Sequence, residues 1–269
     1  MGEIHFKRWQ YFIDYIQQEM LDYEQYIWRG QREAKWKLES TLDRLIDTAN
    51  IAKTKRVHFR SSHLERFEYS VRGRRGSNPP KIKSENDWWA LGQHHGLDTP
   101  LLDWTTSPFA AAYFAFISPE KPSSRFRNVF AINRPAIEEK AEQIRRDKQK
   151  EYKKKAEEAN NFMSKALYSS KVDLEVEFIR PRSDENQRLV NQSGLFSRAP
   201  DGVDLDDWIS KSFKGDTTGY TLMKLQIPNA DRTDCLRTLN RMNINHLTLF
   251  PDLYGASKYC NIHGEISHY

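Results

Sequence analysis

The segment that most constrains the fold runs from residue 107 to residue 117, Ser-Pro-Phe-Ala-Ala-Ala-Tyr-Phe-Ala-Phe-Ile. Ser is a preferred residue at a helix N-cap and Pro fits the first helical turn, so Ser107 and Pro108 predict the start of a helix. The helix that follows is small and apolar on most faces, and a helix of that kind has to be buried. The apolar stretch 109–117 is far too short to cross a bilayer. We therefore expect this helix to lie inside a folded core.

The rest of the chain is predicted to mix helices and strands. Apolar spacing and cap residues indicate helices at 7–21, from Ser40-Thr41 onward, at 61–71, 85–93 and 231–242, and after Pro251-Asp252. Alternating or β-prone runs indicate strands at 26–28, 128–133, 172–179, 220–227 and 247–250, with 98–106 as a loop or short strand and 187–196 as a strand or helical turn. We find no internal repeat and no clear linker. The expected fold class is α+β: one domain, 1–269, with small mixed or antiparallel sheets surrounded by helices.

Residues 136–160 differ from their surroundings because they are rich in Lys, Arg, Glu and Gln and nearly devoid of apolar side chains. The basic residues between Arg145 and Lys155 are of the type that contacts nucleic acid. Glu residues flank them at helical spacings, so ion pairs within one helix are the better default. We expect a solvated helical insertion that projects from the domain.

Charge and cysteine content limit the partners and the compartment. The chain has a formal charge of +5, with 38% hydrophobic and 29% charged residues. This balance is compatible with an anionic partner, such as a nucleotide or nucleic acid, without requiring one. Cys235 and Cys260 are far apart and lack a metal-type spacing, so neither a disulfide framework nor a structural zinc site is expected. Residues 1–12 contain no signal-peptide core, so a cytoplasmic protein with no membrane partner is expected.

The first candidate site is Trp28-Arg29-Gly30-Gln31. An Arg at the end of a buried strand needs a partner, because a guanidinium cannot lose its charge. Gly30 is expected to end the strand in a turn and to let another backbone or a ligand approach closely. Gln31 adds an amide donor and acceptor. The group suits an anion such as phosphate, which Arg can hold bidentately; an internal salt bridge beside a turn glycine is the alternative.

The second candidate site runs from Gln93 to Pro108 and concentrates His, Asp, Thr, Ser and Trp before the buried helix. A helix N-terminus offers N–H groups and a positive dipole end to phosphate, and Trp104 could stack on a base or a nicotinamide ring. Alternatively, Thr and Ser cap the helix, Asp103 accepts backbone N–H groups and the His pair packs. Because adjacent residues in an extended chain point to opposite faces, His94 and His95 are not expected to share a metal, and no metal site is predicted.

Two further segments are weaker candidates. Gln192 precedes a Ser-Gly-Leu-Phe run and could present its amide to a cleft, although a surface turn explains it equally well. Asp252 lies in the run 249–255, Leu-Phe-Pro-Asp-Leu-Tyr-Gly, and is expected to cap the last helix.

These four segments, taken in order, resemble an FRG domain, a family named after a Phe-Arg-Gly triplet. They are Arg-Gly-Gln after an aromatic residue, the long run Gln-His-His-Gly-Leu-Asp-Thr-Pro-Leu-Leu-Asp-Trp-Thr-Thr-Ser-Pro, then Gln-x-Gly-x-Phe, and finally Phe-Pro-Asp-Leu-x-Gly. Trp28 replaces the Phe of the triplet, which keeps an aromatic residue. The resemblance covers roughly residues 5–260 outside the charged insertion, and such domains occur in bacteria and their phages.

The layout of the FRG family is similar to that of ADP-ribosyltransferases. This resemblance implies that Arg29 holds the phosphates or ribose of NAD, that Thr105 or Ser107 shapes the nicotinamide pocket, and that Gln192 lies near the third position of the site. Gln192 departs from the carboxylate usual at that position. Asp103, Asp252 or Glu265 would have to replace it if transferase chemistry is present.

The sequence therefore leads to three functional hypotheses. The first is an ADP-ribosyltransferase-like or NAD-cleaving toxin or defence effector that acts on a protein or nucleic-acid acceptor. The second is a nucleotide- or nucleic-acid-binding module without catalysis, and the third is a nuclease-like toxin that uses a His as acid or base. The expected catalytic residues are Arg29, His95, Asp103 and Gln192. The expected binding residues for NAD or a similar nucleotide are Trp28, Arg29, Gly30, Gln31, His94, Trp104, Thr105 and Ser107.

Overall fold

A computed structural model describes residues 2–171, 173–180, 191–215 and 220–269. Seven strands form one sheet in the order β1-β7-β4-β2-β3-β6-β5. β1 pairs with β7 in parallel, and the other neighbours are antiparallel. The strands are β1 (Gly2–His5), β2 (Tyr26–Gln31), β3 (Leu101–Thr105), β4 (Phe126–Asn133), β5 (Glu177–Ile179), β6 (Gly194–Arg198) and β7 (Leu222–Pro228).

Helices surround this sheet, which confirms the α+β class and replaces the expected small sheets by one mixed sheet. They are α1 (Trp9–Tyr15), α2 (Thr41–Thr48), α3 (Arg56–Ser70), α4 (Glu85–His94), α5 (Pro108–Phe116), α6 (Arg134–Glu158), α7 (Phe162–Ser170), α8 (Leu205–Ser212), α9 (Arg232–Arg241), α10 (His246–Leu249) and α11 (Leu253–Glu265). A π-helical turn, Ile16–Met20, continues α1. Within the described residues, no helix has both the length and the apolar character that a membrane crossing requires.

The sheet separates two hydrophobic clusters, as alternating side chains dictate. On one face Trp28, Val129 and Leu225 pack with the alanines of α5. On the other face Ile27, Trp104 and Phe130 pack together, joined by residues of α6 and α8. A third cluster joins α2, α3 and α4 to the β3–β6 side of the sheet. The predicted central helix is therefore confirmed, and its Ala111, Ala112 and Ala115 are completely buried.

Gly30 lies inside β2, paired with Val129, and not in the turn that the sequence indicated. A Cβ at Gly30 would overlap the carbonyl oxygen of Ala111 and would lie 2.6 Å from the backbone nitrogen of Ala115. Because Gly30 has no side chain, α5 can cross directly over β2. The group that approaches Gly30 closely is therefore the backbone of a helix.

Two arginines, the buried Arg127 and the partly buried Arg232, hold the C-terminal end of α5. Arg127 donates from Nη1 to the carbonyl of Ala115 at 2.7 Å, and Arg232 donates from Nε to the carbonyl of Phe116 at 2.9 Å. The last carbonyls of a helix have no partner within the helix, and cations are favourable there. Burial lowers the pKa of Arg127 to about 10, with Arg232 acting in the same direction. Both arginines fix α5, which forms one wall of the cavity described below.

The predicted strand at 247–250 is wrong, since His246–Leu249 forms α10. Asn245 accepts a hydrogen bond from the backbone of Thr248, and the Thr248 side chain accepts one from the backbone of Asn245. This reciprocal capping starts a helical turn and overrides the alternation of Leu, Thr, Leu and Phe. The predicted strand at 172–179 is reduced to Glu177–Ile179, and residue 172 and residues 187–190 of the next predicted element lie outside the described residues.

The charged segment 136–160 lies in α6 up to Glu158, as its composition predicts, and carries internal ion pairs such as Arg146–Glu142. Its first turns are not an insertion, however, because Ile137 and Ala141 are buried in the second cluster. Only the later turns are dominated by solvated charge.

Candidate functional site

A cavity of about 310 Å³ opens where the two main candidate segments meet. β2 contributes Trp28, Arg29 and Gly30, and β3 contributes Asp103, Trp104 and Thr105. Three residues from other elements complete the wall: Phe114 of α5, Gln192 before β6 and Phe250 after α10.

The cavity arises because β2 and β3 are barely paired. β2 pairs with β4 along all six of its residues, from Tyr26 to Gln31, but pairs with β3 only between Trp28 and Thr105. Beyond that pair the two strands separate, and their facing backbone groups need other partners. The guanidinium of Arg29 fills part of the gap by donating from Nη1 to the backbone carbonyl of Asp103 at 2.8 Å.

Arg29 is mostly buried yet incompletely neutralised. Its side chain is 17% exposed, and Nη1 lies 3.6 Å from Oδ2 of Asp103. Its Nε is buried and has no hydrogen-bond partner among the described residues. Burial lowers the pKa of Arg29, the Asp103 carboxylate opposes this effect and Arg44 adds to it. A largely desolvated guanidinium beside a cavity is a strong attractor for an anion.

Asp103 places a carboxylate at the cavity, and a chain of hydrogen bonds supports it. Its side chain is 57% exposed, and its Oδ2 accepts a hydrogen bond from Nε2 of Gln93 at 2.9 Å. Gln93 in turn accepts a hydrogen bond from the hydroxyl of Thr99, whose backbone nitrogen donates to Oγ1 of Thr41 at 2.9 Å. The sequence did not single out Gln93 as a site residue, although it begins the long motif that contains both histidines.

Thr105 and Gln192 hold the loops around the cavity together. The Thr105 hydroxyl donates to the Gln192 carbonyl at 2.7 Å and accepts from the backbone of Ser107 at 3.1 Å. Gln192 donates from Nε2 to the carbonyl of Leu249 at 3.1 Å. Ser107 caps α5 by accepting from the backbone of Ala110 and is not among the cavity-lining residues. Thr105 therefore connects β3, α5 and the segment before β6.

Aromatic rings form the apolar half of the cavity. Phe114 and Phe250 meet edge to face at 6.1 Å, and Trp28 lines the cavity together with them. His246 stacks behind Phe250 at 4.8 Å, and its Nδ1 lies 2.6 Å from the hydroxyl of Tyr113. Burial lowers the pKa of His246 to about 4, with Lys258 acting in the same direction. Phe114 and Phe250 were not predicted as site residues, because only the tertiary fold brings them together.

Trp104 lines the cavity, but most of its ring belongs to the second hydrophobic cluster. Its side chain is 2% exposed, and its Nε1 donates to the hydroxyl of Ser197 at 2.8 Å. A ring fixed in this way gives the cavity a rigid edge and offers little free surface for stacking on a ligand.

Three other predicted residues lie away from the cavity wall. Gln31 is buried and donates from Nε2 to the carbonyl of Lys37 at 3.2 Å. His94 and His95 meet edge to face at 4.7 Å at the end of α4, where His95 is exposed. In the part of the chain that the structure describes, no three His, Cys, Asp or Glu side chains form a group that could hold a metal ion.

Asp252 and Glu265 were alternative carboxylates for the site. Asp252 caps α11 by accepting from the backbone of Gly255 at 2.8 Å, as the sequence predicts. Glu265 pairs with Nη1 of Arg232 at 2.6 Å. Among the described residues, Asp103 is the carboxylate that lines this cavity.

Comparison with known proteins identifies residues 24–124 as a match to the FRG domain family. The matched region runs from just before β2 to beyond α5 and contains every lining residue except Gln192 and Phe250. No curated protein and no solved structure matches the chain.

Proposed function

We propose that this chain, which carries an FRG domain at residues 24–124, binds NAD in the cavity and acts as an ADP-ribosyltransferase-like or NAD-cleaving protein. One observation carries the proposal: a desolvated guanidinium and an exposed carboxylate share a cavity with aromatic rings on its other side. A dinucleotide is complementary to this arrangement, because its pyrophosphate can pair with the guanidinium and its planar base can pack against the aromatic rings.

The binding step rests on Arg29. An anionic phosphate in the cavity would pair with the guanidinium of Arg29 and would offset the cost of its burial. The partly exposed rings of Phe114 and Phe250 would contact a flat ring, and the buried Trp28 would back the cavity wall. The volume of about 310 Å³ lies at the lower end for small-molecule sites, so the cavity would enclose one ring and its sugar and leave the rest of the dinucleotide outside.

The chemical step rests on Asp103. When the bond between nicotinamide and ribose breaks, its electron pair leaves with nicotinamide and positive charge develops on the sugar. A fixed carboxylate next to that carbon lowers the energy of the charged state. Gln93 would hold Asp103 in position, and water or an acceptor side chain would complete the reaction.

Two substitutions separate binding from chemistry. Asp103→Asn is expected to retain NAD binding in calorimetry and to lose nicotinamide release, because the amide is isosteric and uncharged. Arg29→Met is expected to weaken NAD binding by about tenfold to a hundredfold, the equivalent of one charge-assisted hydrogen bond of about 1.5–3 kcal/mol.

Exposed residues provide matched controls. Asp147→Asn and Arg146→Met on α6 alter exposed residues of the same types outside the cavity lining and should change neither property. If the wild-type protein neither binds NAD nor releases nicotinamide with a range of acceptors, the proposal is refuted. If Asp103→Asn cleaves NAD at the wild-type rate, the role of Asp103 is refuted.

A binding module without catalysis is the second candidate, and a specific observation favours it. Asp103 is already engaged by Gln93 and Arg29, and Gln192 offers an amide in place of a second carboxylate. This reading predicts binding of nucleotides or nucleic acid without product, weakened by salt because phosphate contacts release counterions. Affinity that does not change with salt would contradict it.

The geometry gives less support to a nuclease, because neither His94 nor His95 is among the cavity-lining residues. His95→Ala is expected to leave RNA and DNA intact or cleaved as in the wild type. A role as a toxin or defence effector would appear as slowed bacterial growth on expression of the wild-type chain but not of Asp103→Asn.

A further inference from the structure

A second cavity, of about 420 Å³, lies between the π-helical turn, β2 and the start of α5. Its wall shares Trp28 with the first cavity. Ile16 and Met20 come from the π-helical turn, Tyr26 from β2, and Thr106 and Pro108 flank the N-cap of α5. Trp28 therefore forms part of the wall of two separate spaces.

The lining of the second cavity is aromatic and carries acidic character. Tyr23 supplies the half-exposed ring of the wall, the rings of Tyr26 and Trp28 are almost fully buried, and Met20 adds an adaptable apolar side chain. Glu24 is the charged residue of the wall, and no Lys or Arg is among the described residues that line it. The first cavity differs, because its wall carries both the guanidinium of Arg29 and the carboxylate of Asp103.

Part of this wall is fixed in advance. Tyr26 is 5% exposed and Trp28 is 3% exposed, and the Tyr26 hydroxyl donates to the carbonyl of Tyr220 at 2.7 Å. The ring centroid of Tyr26 lies 6.3 Å from that of Trp28 and 6.3 Å from that of Tyr23. Tyr23 and Leu21 lie at the mouth, 50% and 64% exposed. A rigid aromatic wall with exposed apolar groups at its entrance is typical of a ligand site.

We infer that the second cavity binds a planar nitrogen heterocycle that is neutral or positively charged. Ring faces attract a cation or the edge of another ring, and Glu24 strengthens the preference for positive charge. Glu24 repels an anion, so an anion should bind less tightly than a cation of the same shape. Apart from Trp28, this inference stands on residues outside the first cavity, and it does not depend on NAD cleavage there.

Three probes that share one ring and differ in charge provide the test. Calorimetric titration with 1-methylnicotinamide, nicotinamide and nicotinate compares a cation, a neutral molecule and an anion of nearly the same shape. The affinity is expected to fall in that order, with the cation about tenfold tighter than the anion. Equal affinity for all three probes, or no binding of any of them, would overturn the inference.

Substitutions assign the binding to this cavity. Glu24→Gln is expected to lower the affinity for the cation about threefold to tenfold and to leave the neutral ring nearly unchanged. Tyr23→Ala is expected to weaken the cation and the neutral ring about tenfold. Tyr11→Ala, an exposed tyrosine of α1 outside both cavities, serves as the matched control and should have no effect.

A third substitution distinguishes the two cavities. Arg29→Met changes the first cavity and should leave the affinities for the three probes unchanged. Loss of binding in Arg29→Met together with wild-type binding in Glu24→Gln and Tyr23→Ala would place the heterocycle in the first cavity and refute this inference. These titrations measure probe binding and not NAD cleavage. A protein that does not cleave NAD could therefore still bind the probes in the second cavity.

Discussion

Gly30→Ala is the sharpest test of how the sheet and α5 fit together. The added methyl would overlap the carbonyl oxygen of Ala111 and crowd the backbone nitrogen of Ala115 at 2.6 Å. Both atoms belong to the backbone of α5, and Ala111 and Ala115 are completely buried. Neither can move aside by rotating a side chain, so β2 and α5 have to separate.

The expected cost follows from that geometry. Overpacking a core usually costs about 1–3 kcal/mol, and a clash with backbone belongs at the upper end of that range. We expect Gly30→Ala to lower the free energy of unfolding by about 3 kcal/mol, which corresponds to a fall in Tm of about 6–12 °C for a domain of this size. The gain of about 0.4–1 kcal/mol from a less flexible unfolded chain is too small to offset it.

Urea unfolding followed by circular dichroism measures this change. Gly264→Ala is the matched control, because a Cβ there has nothing within 4 Å and the residue lies in α11. It should stabilise the protein by up to about 1 kcal/mol through helix propensity alone. If Gly30→Ala loses less than about 0.5 kcal/mol, the close approach of α5 is not what requires glycine at this position.

Two further predictions concern buried polar groups. Because burial lowers the pKa of His246 from its ordinary value of 6.5 to about 4, only the unfolded chain binds a proton between these values. The free energy of unfolding should therefore fall as pH drops from 6.5 to 4, by up to about 3 kcal/mol, and His246→Gln should remove that part of the slope in urea titrations. Ser197→Ala should cost about 1–3 kcal/mol in the same assay, because it leaves the buried Nε1 of Trp104 without a partner. The exposed Ser210→Ala should cost less than about 0.5 kcal/mol, and equal losses for the two serine variants would contradict the role of the bond to Trp104.

Local signals explain which elements the sequence predicts well. Ser40, Ser107 and Asp252 each cap a helix within three residues of themselves, so the sequence neighbourhood determines the outcome. The alternation of Leu, Thr, Leu and Phe in 247–250 misleads because the capping pair of Asn245 and Thr248 outweighs it. In addition, His246 meets Tyr113 from a distant part of the chain, and no local pattern reports that contact.

The same distinction applies to the candidate site. Arg29, Asp103 and Thr105 lie in motifs that sequence reasoning could select, and they do line one cavity with Gln192. Phe114 was not selected, because it belongs to a helix that looks like core, and Phe250 lies in a candidate segment in which only Asp252 was singled out. Gly30 was selected for the right property, close approach, but its partner is the backbone of Ala111, which only the packed structure reveals.

Replacing Arg29 tests whether this side chain, which lies in the gap between β2 and β3, stabilises the fold or is retained to bind a ligand. Arg29→Met removes one charge-assisted hydrogen bond to the Asp103 carbonyl, worth about 1.5–3 kcal/mol. It also removes an ion pair at 3.6 Å to an exposed carboxylate, worth about 0–1 kcal/mol. Against these losses stand the burial of a cation and an Nε without a partner, a penalty of about 1–3 kcal/mol or more that the substitution abolishes.

The lost interactions and the removed burial penalty nearly cancel. The free energy of unfolding of Arg29→Met should therefore differ from that of the wild type by less than about 1 kcal/mol. Urea unfolding measures this, with Arg146→Met as the exposed control. A loss above about 2 kcal/mol would show that the guanidinium serves chiefly to bridge the strands. A near-neutral result would mean that the fold gains little from a buried cation, which is the behaviour expected of a side chain retained for an anionic ligand.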